Sequence, residues 1–497
     1  MSQTPLSPPL PSGAGPALPQ RPDAKGEDAV SAVLSLYVKH SKIYPRAVSG
    51  WFSAWRWAVV WATQIVFYGL PWLMWNDRQA VLFELASRRF YIFGLVLYPQ
   101  DFIYLTALLL IAAYSLFLFT AVAGRLWCGY ACPQTVYTEV FLWVERWFEG
   151  DRNKRIKLDQ GPWTLERAWR KGGKLLVWAV LAVWTGITFV GYFTPIRELL
   201  PAMASFSLGP WESFWVLFYS LATFGNAGFL REQVCKYMCP YARFQSAMFD
   251  KDTLIISYDQ ARGEPRGNRS RKADPRAEGL GSCIDCGLCV QVCPTGIDIR
   301  NGLQYECIGC AACVDVCNGV MDKMHYPRGL VRYATQNALA QNWDAAQIRR
   351  RALRPRVLVY SGILVLVVLA LLTSLALRSP FRVDVVRDRS SLARIVDDGQ
   401  IENVYRLQVM NATEATQHYR VQVQGLPGIA LVGAGAGTVE VGPAQARWVT
   451  LAVRLPYAPS QQAGPGVHPI RFDIERSAGP GADVAIVREA STFVVPR

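Results

Sequence analysis

Cys283-Ile-Asp-Cys286-Gly-Leu-Cys289-Val-Gln-Val-Cys293-Pro294 spaces four cysteines as C-x2-C-x2-C-x3-C-P, and Cys307, Cys310, Cys313 and Cys317 repeat that spacing. Three thiolates so placed wrap three corners of a cubane, while the fourth, more distant cysteine reaches across to a neighbouring cluster. The two runs predict two [4Fe-4S] clusters. In the crossed pattern one cluster takes Cys283, Cys286, Cys289 and Cys317, and the other takes Cys307, Cys310, Cys313 and Cys293. A pair of zinc knuckles is the competing reading, although zinc sites rarely show two complete runs of this kind. Small residues between the ligands, Gly287, Gly309, Ala311 and Ala312, let backbone N–H groups approach the sulfides. Every ligand comes from the protein and no corner is left open, so the segment reads as a wire for electrons. His325, just beyond the second run, reads as a surface or packing histidine.

Outward from this segment the chain turns apolar. Of 497 residues, 51% are hydrophobic and 17 are Trp, yet mean hydropathy is only +0.14 because apolar blocks alternate with basic ones. That segregation excludes both a purely soluble enzyme and a transporter embedded almost throughout. Runs at 57–75, 102–123, 175–193, 211–230 and 357–377 are long enough to cross a hydrocarbon core of roughly 30 Å. Five spans are expected, with Trp57, Trp72, Trp75, Trp127 and Trp211 near their ends as interfacial anchors.

Sidedness follows from the basic residues. With the N-terminus inside, the connections 1–53, 124–174 and 231–356 hold 34 Lys and Arg, against 4 in 76–101 and 194–210. The cysteine-rich segment is then cytoplasmic, and an odd number of spans puts the C-terminal region in the periplasm of a bacterial inner membrane. The net charge of +14 is accounted for by these loops, so no nucleic-acid partner is implied. Residues 1–50 begin with a Pro-rich stretch lacking a signal-peptide core and are expected to be a disordered and interfacial cytoplasmic tail.

The expected domains are a membrane domain with four spans at 51–260, a two-cluster ferredoxin-like α+β insert at 261–345, a fifth span with its basic flank at 346–378, and an all-β region at 379–497. In the last, stretches such as Asn403-Val-Tyr-Arg-Leu-Gln-Val and Trp448-Val-Thr-Leu-Ala-Val alternate apolar and polar residues, the period of half-buried strands. About seven short strands fit an immunoglobulin-like sandwich, which reads as a docking or scaffold module. No Gly-rich nucleotide turn follows a strand, so electrons must arrive from a partner.

Four cysteines remain. Cys128-Gly-Tyr-Ala-Cys132-Pro133 follows the second span and Cys235-Lys-Tyr-Met-Cys239-Pro240 the fourth, an internal repeat of span, C-x3-C-P and interfacial helix. Helical spacing i, i+4 lets each motif present two sulfurs on one face, and a proline next to the second cysteine suits a helix start. Four soft thiolates suit Cu(I), with the Met238 thioether nearby, and make Cys128, Cys132, Cys235 and Cys239 the candidate catalytic and metal-binding set. A tetrathiolate zinc site, inert buried thiols and a further iron-sulfur cluster compete, since spacing alone does not choose among metals.

Taken end to end, with only the Pro-rich tail outside, these features resemble the FixG/RdxA/CcoG family of cytochrome c oxidase accessory proteins. The resemblance implies a membrane-bound polyferredoxin that reduces Cu(II) to Cu(I) for assembly of a cbb-type oxidase. Its cofactors would be two [4Fe-4S] clusters, with copper as a further metal. Its partners would be the lipid bilayer, oxidase subunits, copper-transport proteins and an unidentified electron donor, with a homo-oligomer as a further expectation. Two other readings stand beside it: a quinol-oxidising membrane ferredoxin of the NapH type, which lacks the C-terminal sandwich, and a non-enzymatic redox-sensing assembly scaffold.

Overall fold

The computed structural model describes residues 42–271, 279–388, 393–433, 438–477 and 485–496. Residues 1–41 of the tail expected at 1–50, and part of the Arg-rich linker, lie outside the described residues. Everything below concerns the compact unit Tyr44–Arg497.

Among the described residues four helices are long and apolar enough to cross a membrane: Pro99–Ala123, Leu165–Val190, Pro210–Leu230 and Pro355–Ala376. A further helix, α1 (Trp51–Gly69), corrects the first expected span, which was placed at 57–75. Pro71 lacks an N–H and turns the chain into a 3-10 segment at Leu70–Trp72, after which Met74–Trp75 pairs antiparallel with Arg78–Gln79. Arg56 lies within α1 and is buried against Glu139 at 3.6 Å, and with Thr63 and Gln64 it makes this helix less apolar than the other four.

The segment 76–101 is structured. Strands β1 (Val81–Glu84), β2 (Arg89–Ile92) and β3 (Leu95–Leu97) form a meander. Its Leu82, Tyr91 and Val96, with Tyr98, share a core with Met410 and Ala444 of the C-terminal region. Asp101, fully buried, accepts hydrogen bonds from Arg378 and Arg382, so the C-terminal region is clamped to the meander at its root. Helix α2 (Phe102–Ala123) then leads into α3 (Leu126–Tyr130) and α4 (Pro133–Glu149). Helix α5 (Leu165–Val190) starts ten residues before its expected position. Its early lysines are paired and need no lipid: Lys174 lies 2.6 Å from Glu149, and Glu145 collects Lys174, Arg155 and Arg231. Helix α6 (Pro210–Gly225) crosses α5 closely at Gly186, where a Cβ would stand 2.4 Å from Ser220 Oγ, the small-residue contact by which membrane helices approach. A π-helical turn, Asn226–Leu230, extends α6, and α7 (Pro240–Met248) follows the second C-x3-C-P motif.

The insert is built on β4 (Ile255–Tyr258) paired antiparallel with β5 (Val331–Ala334), Ile256 facing Tyr333. Between them lie α8 (Leu288–Gln291) and α9 (Ala312–Met324). Helix α10 (Pro355–Ala376) packs on α2 and leads to the sandwich.

The sandwich has nine described strands where alternation alone suggested about seven. One sheet holds β6 (Phe381–Arg387), β7 (Arg394–Val396), β8 (Gln400–Asn411), β10 (Ala430–Val432) and β12 (Ala446–Leu455). The other holds β9 (Gln417–Gln424), β11 (Thr438–Val441), β13 (Gly466–Ser477) and β14 (Ile486–Val495). The sheet orders are β10-β12-β8-β6, with β7 also on β8, and β11-β9-β13-β14. Tyr405, Leu407, Leu451, Tyr419, Phe472 and Phe493 fill the space between them. The three-residue edge strands β7 and β10 are too short for a period of two to be read.

Candidate metal centres

In the insert the two cysteine runs adopt the same backbone. The residues two and four positions after the first cysteine, Asp285 and Gly287 in one run and Gly309 and Ala311 in the other, all have left-handed φ between 50° and 70°. A non-glycine residue there costs roughly 1–2 kcal/mol, strain of the kind held at functional sites. The effect is to turn N–H groups inward: those of Gly309 and Ala312 donate to Cys307 and Cys310.

Two cavities result. The first is lined by Cys283, Cys286, Cys289 and Cys317 together with Gly287 and Arg300. The second is lined by Cys293, Cys307, Cys310 and Cys313, with Cys289 also among its walls. Helix α9 passes between them, carrying Cys313 on the second and Cys317 on the first. Arg300 is held at the first cavity by Asp298, at 2.7 and 2.8 Å. Burial pushes the Cys289 thiol up to about 11 and those of Cys307 and Cys317 up to about 12, so it is loading with metal that makes them thiolates. Four sulfurs, inward N–H groups and apolar walls in each cavity fit a cubane in each.

The C-x3-C-P motifs are not the continuous helices that i, i+4 spacing suggests. Cys128 lies in α3 and Cys235 in the π-helical turn Val234–Met238, whereas Cys132 and Cys239 are extended N-cap residues of α4 and α7. Proline at the first helical position forces the preceding residue out of the helical region, so the helix breaks between the two cysteines of each pair. The motifs nevertheless meet by exchanging hydrogen bonds. Cys128 Sγ donates to Gln245 Oε1 (3.3 Å) beyond the second motif, and Gln134 beyond the first donates to the carbonyls of Asn226 (3.0 Å) and Arg231 (3.1 Å). Burial raises Cys128 to about 11 and Cys235 to about 12, and the other thiols of the set push both further. Among the described residues no three His, Cys, Asp or Glu side chains converge as a single ion requires. Met238 stands apart from this set: it is 58% exposed and lines a groove with Tyr237, Arg243 and Phe244.

The insert sits directly on these motifs. A Cβ at Gly129, inside the first motif, would stand 2.8 Å from the N and Cα of Cys310, so only glycine allows the two backbones to touch. Gly309 packs on the Arg125 backbone in the same way, a Cβ there falling 3.1 Å from its C and O. Arg125 is 5% exposed, and its guanidinium donates to the carbonyls of Tyr305, before the second run, and Ala242, in α7. It lies within electrostatic reach of Cys128, Cys307, Cys235 and Cys239. Sequence reasoning missed Arg125 and Asp315, whose partners are distant in the chain; for Gly129 the trace was a glycine between two cysteines.

Residues 371–496 match the family described as "IG-like fold at C-terminal of FixG, putative oxidoreductase". Residues 230–336 match a "4Fe-4S dicluster domain" and residues 105–155 a "4Fe-4S binding domain". The chain is 37% identical to nitrogen fixation protein FixG of Rhizobium meliloti over 449 residues, 84% of this chain and 86% of that protein. It is 38% identical to protein RdxA of Cereibacter sphaeroides over 469 residues, 92% and 98% of the two chains, and 40% identical to RdxB of the same organism over 405 residues, 80% and 85%. The chain belongs to the FixG/RdxA family. With its apolar helices and cysteine-lined cavities, this FixG/RdxA member is a membrane iron-sulfur protein of electron transfer. The two 4Fe-4S matches also take in the membrane motifs: Cys128 and Cys132 lie within one, Cys235 and Cys239 within the other.

Proposed function

We propose that this protein carries electrons through two [4Fe-4S] clusters, ligated in the crossed pattern, to the four-thiol site of Cys128, Cys132, Cys235 and Cys239, where Cu(II) is reduced to Cu(I). The observation that carries the reading is the backbone contact of Gly129 with Cys310, which places the second cysteine run against the first membrane motif with nothing between them. The clusters supply one-electron storage. The chain's residues hold the two ends together, with Arg125 tying the second run to both motifs and Asp315 tying α9 to α1. Copper leaves as the ion that soft thiolate carriers bind best. The 34-to-4 distribution of basic residues supports a cytoplasmic insert and a periplasmic sandwich, with α1 as a fifth span. On that reading the clamped sandwich presents a fixed surface to subunits of a cbb-type oxidase or to copper carriers.

The test uses full-length protein, purified anaerobically and pre-reduced, mixed with Cu(II) and a Cu(I)-specific chelator. About one Cu(I) should form per electron stored, with bleaching recovery of the cluster absorbance. Clusters that stay reduced in the presence of Cu(II) would sink the reading.

A further inference from the structure

We infer that electrons enter at the first cysteine cavity from a soluble, acidic one-electron carrier protein of the ferredoxin class, docked on a basic face beside Cys286. This rests on the direction of electron flow proposed above, and its test reads cluster reduction without copper.

The two cavities differ in what surrounds them. The second adjoins the membrane motifs, its Cys310 buried against Gly129. At the first, Asp285 and Cys286 are exposed, and Cys286 is the one exposed cysteine of the twelve. Electrons pass between proteins when their centres come close, so the first cavity is the end of the wire that an outside carrier can reach.

The approach to that end is basic. Segment 262–271 is laid along the first run by backbone hydrogen bonds, the Ser282 N–H donating to the Arg262 carbonyl at 2.8 Å and the Gly267 N–H to the Cys283 carbonyl at 3.3 Å. Arg262 donates to the carbonyls of Pro327 and Arg328, Arg269 to the Tyr326 hydroxyl and the Gly281 carbonyl, and Arg271 meets the His325 ring. None of these three guanidinium groups pairs with a carboxylate among the described residues. Lys323, two residues before His325, is exposed as well. The nearby carboxylates are already engaged: Asp285 and Asp298 by Arg300, Asp322 by Arg328 and Glu264 by Arg266.

A cluster held by four thiolates is anionic and repels an acidic carrier; unpaired cations around it offset that repulsion and steer the encounter. Lipid headgroups would be met from the membrane motifs, which adjoin the other cavity, so a soluble partner is favoured. In the transfer one electron leaves the carrier's reduced iron-sulfur centre and turns [4Fe-4S]2+ into [4Fe-4S]+, with no bond made or broken and no proton moved.

The test mixes full-length protein, purified anaerobically with oxidised clusters, with a chemically reduced plant-type [2Fe-2S] ferredoxin of acidic surface, and separately with reduced methyl viologen, a small cation. Cluster bleaching by the ferredoxin should slow roughly tenfold between about 50 and about 300 mM ionic strength, because salt screens exposed charges, while the viologen rate does not fall. The triple variant Arg266→Gln, Arg271→Gln, Lys323→Gln should slow the ferredoxin reaction about tenfold at low salt, with iron content and viologen rate unchanged, and Arg266→Lys with Arg271→Lys should keep the wild-type rate. A ferredoxin rate indifferent to salt, a triple variant as fast as wild type, or clusters that viologen reduces and the ferredoxin does not, would each overturn the inference. If the triple variant loses iron, the salt dependence of the wild type decides alone. Failure to reduce Cu(II) bears on the proposed function and leaves this entry point in place.

Discussion

The carboxylate of Asp315 accepts a 2.7 Å hydrogen bond from the backbone N–H of Ser53, 262 residues away, with its other oxygen taking the N–H of Phe52 at 3.2 Å. Asp315 lies between Cys313 and Cys317 on α9, so the helix that carries cysteines of both cavities also caps the first membrane-domain helix. The N-terminal N–H groups of a helix need acceptors, and a carboxylate there is favoured by the helix dipole as well. The insert is therefore fastened to the membrane domain at a point between two of its cavity-lining cysteines.

Asp315→Ala should cost about 1–2 kcal/mol at the start of α1, as loss of a capping group does. Hydrogen exchange at Phe52 and Ser53 should quicken roughly 5- to 30-fold, while iron content is unchanged. Unchanged exchange would show that the cap contributes nothing.

Gly129→Ala drives a methyl group into the backbone of Cys310, and overpacking of this kind costs about 1–3 kcal/mol. The expected result is an altered EPR signal or loss of the cluster on Cys293, Cys307, Cys310 and Cys313, with the other cluster intact. Both spectra at wild-type form and intensity would mean that the two backbones part without consequence.

The cavity linings give separate expectations for the two distant cysteines. Cys293→Ser should damage the cluster in the cavity of Cys307, Cys310 and Cys313, and Cys317→Ser the cluster in the cavity of Cys283, Cys286 and Cys289. Resolved EPR spectra of the two variants decide it; loss of the cluster belonging to the variant's own run would replace the crossed pattern with a straight one.

In the sandwich, Glu402 is buried between Arg394 and Arg454, whose guanidinium groups outweigh the cost of burial and hold its carboxyl below the usual carboxylate range. A depressed carboxylate gives stability that is present above its unfolded pKa and lost as pH falls through its folded one, because the unfolded state binds the extra proton first. Calorimetry of the full chain should show the sandwich transition falling between pH 7 and pH 3, and falling less in Glu402→Gln. An equal fall in both would remove Glu402 from the acid response.

How far these features could be read ahead depended on how local their causes are. Cysteine spacing is dictated by the size of a cubane and apolar run length by the thickness of a bilayer, so the two runs and four of the membrane helices were legible. The period of two in Asn403–Val409 marks a strand facing a core on one side only, whatever its neighbours. Pro133 and Pro240 announced helix starts, and the same residues, taken with the rule that the residue before a proline is extended, already implied that neither motif is one helix.

What only the tertiary structure decided comes from pairs that no local pattern encodes. The start of α1 at Trp51 is set by Asp315, the early start of α5 by carboxylates that neutralise Lys171 and Lys174, and the place of Arg125 by carbonyls of two separate segments, Tyr305 and Ala242. The chain by itself determined which atoms can bind iron, because sulfur chemistry and ligand spacing travel with the sequence. Which thiols share a centre was decided in the fold, because electrostatic compensation and backbone contact act between residues that the chain keeps far apart.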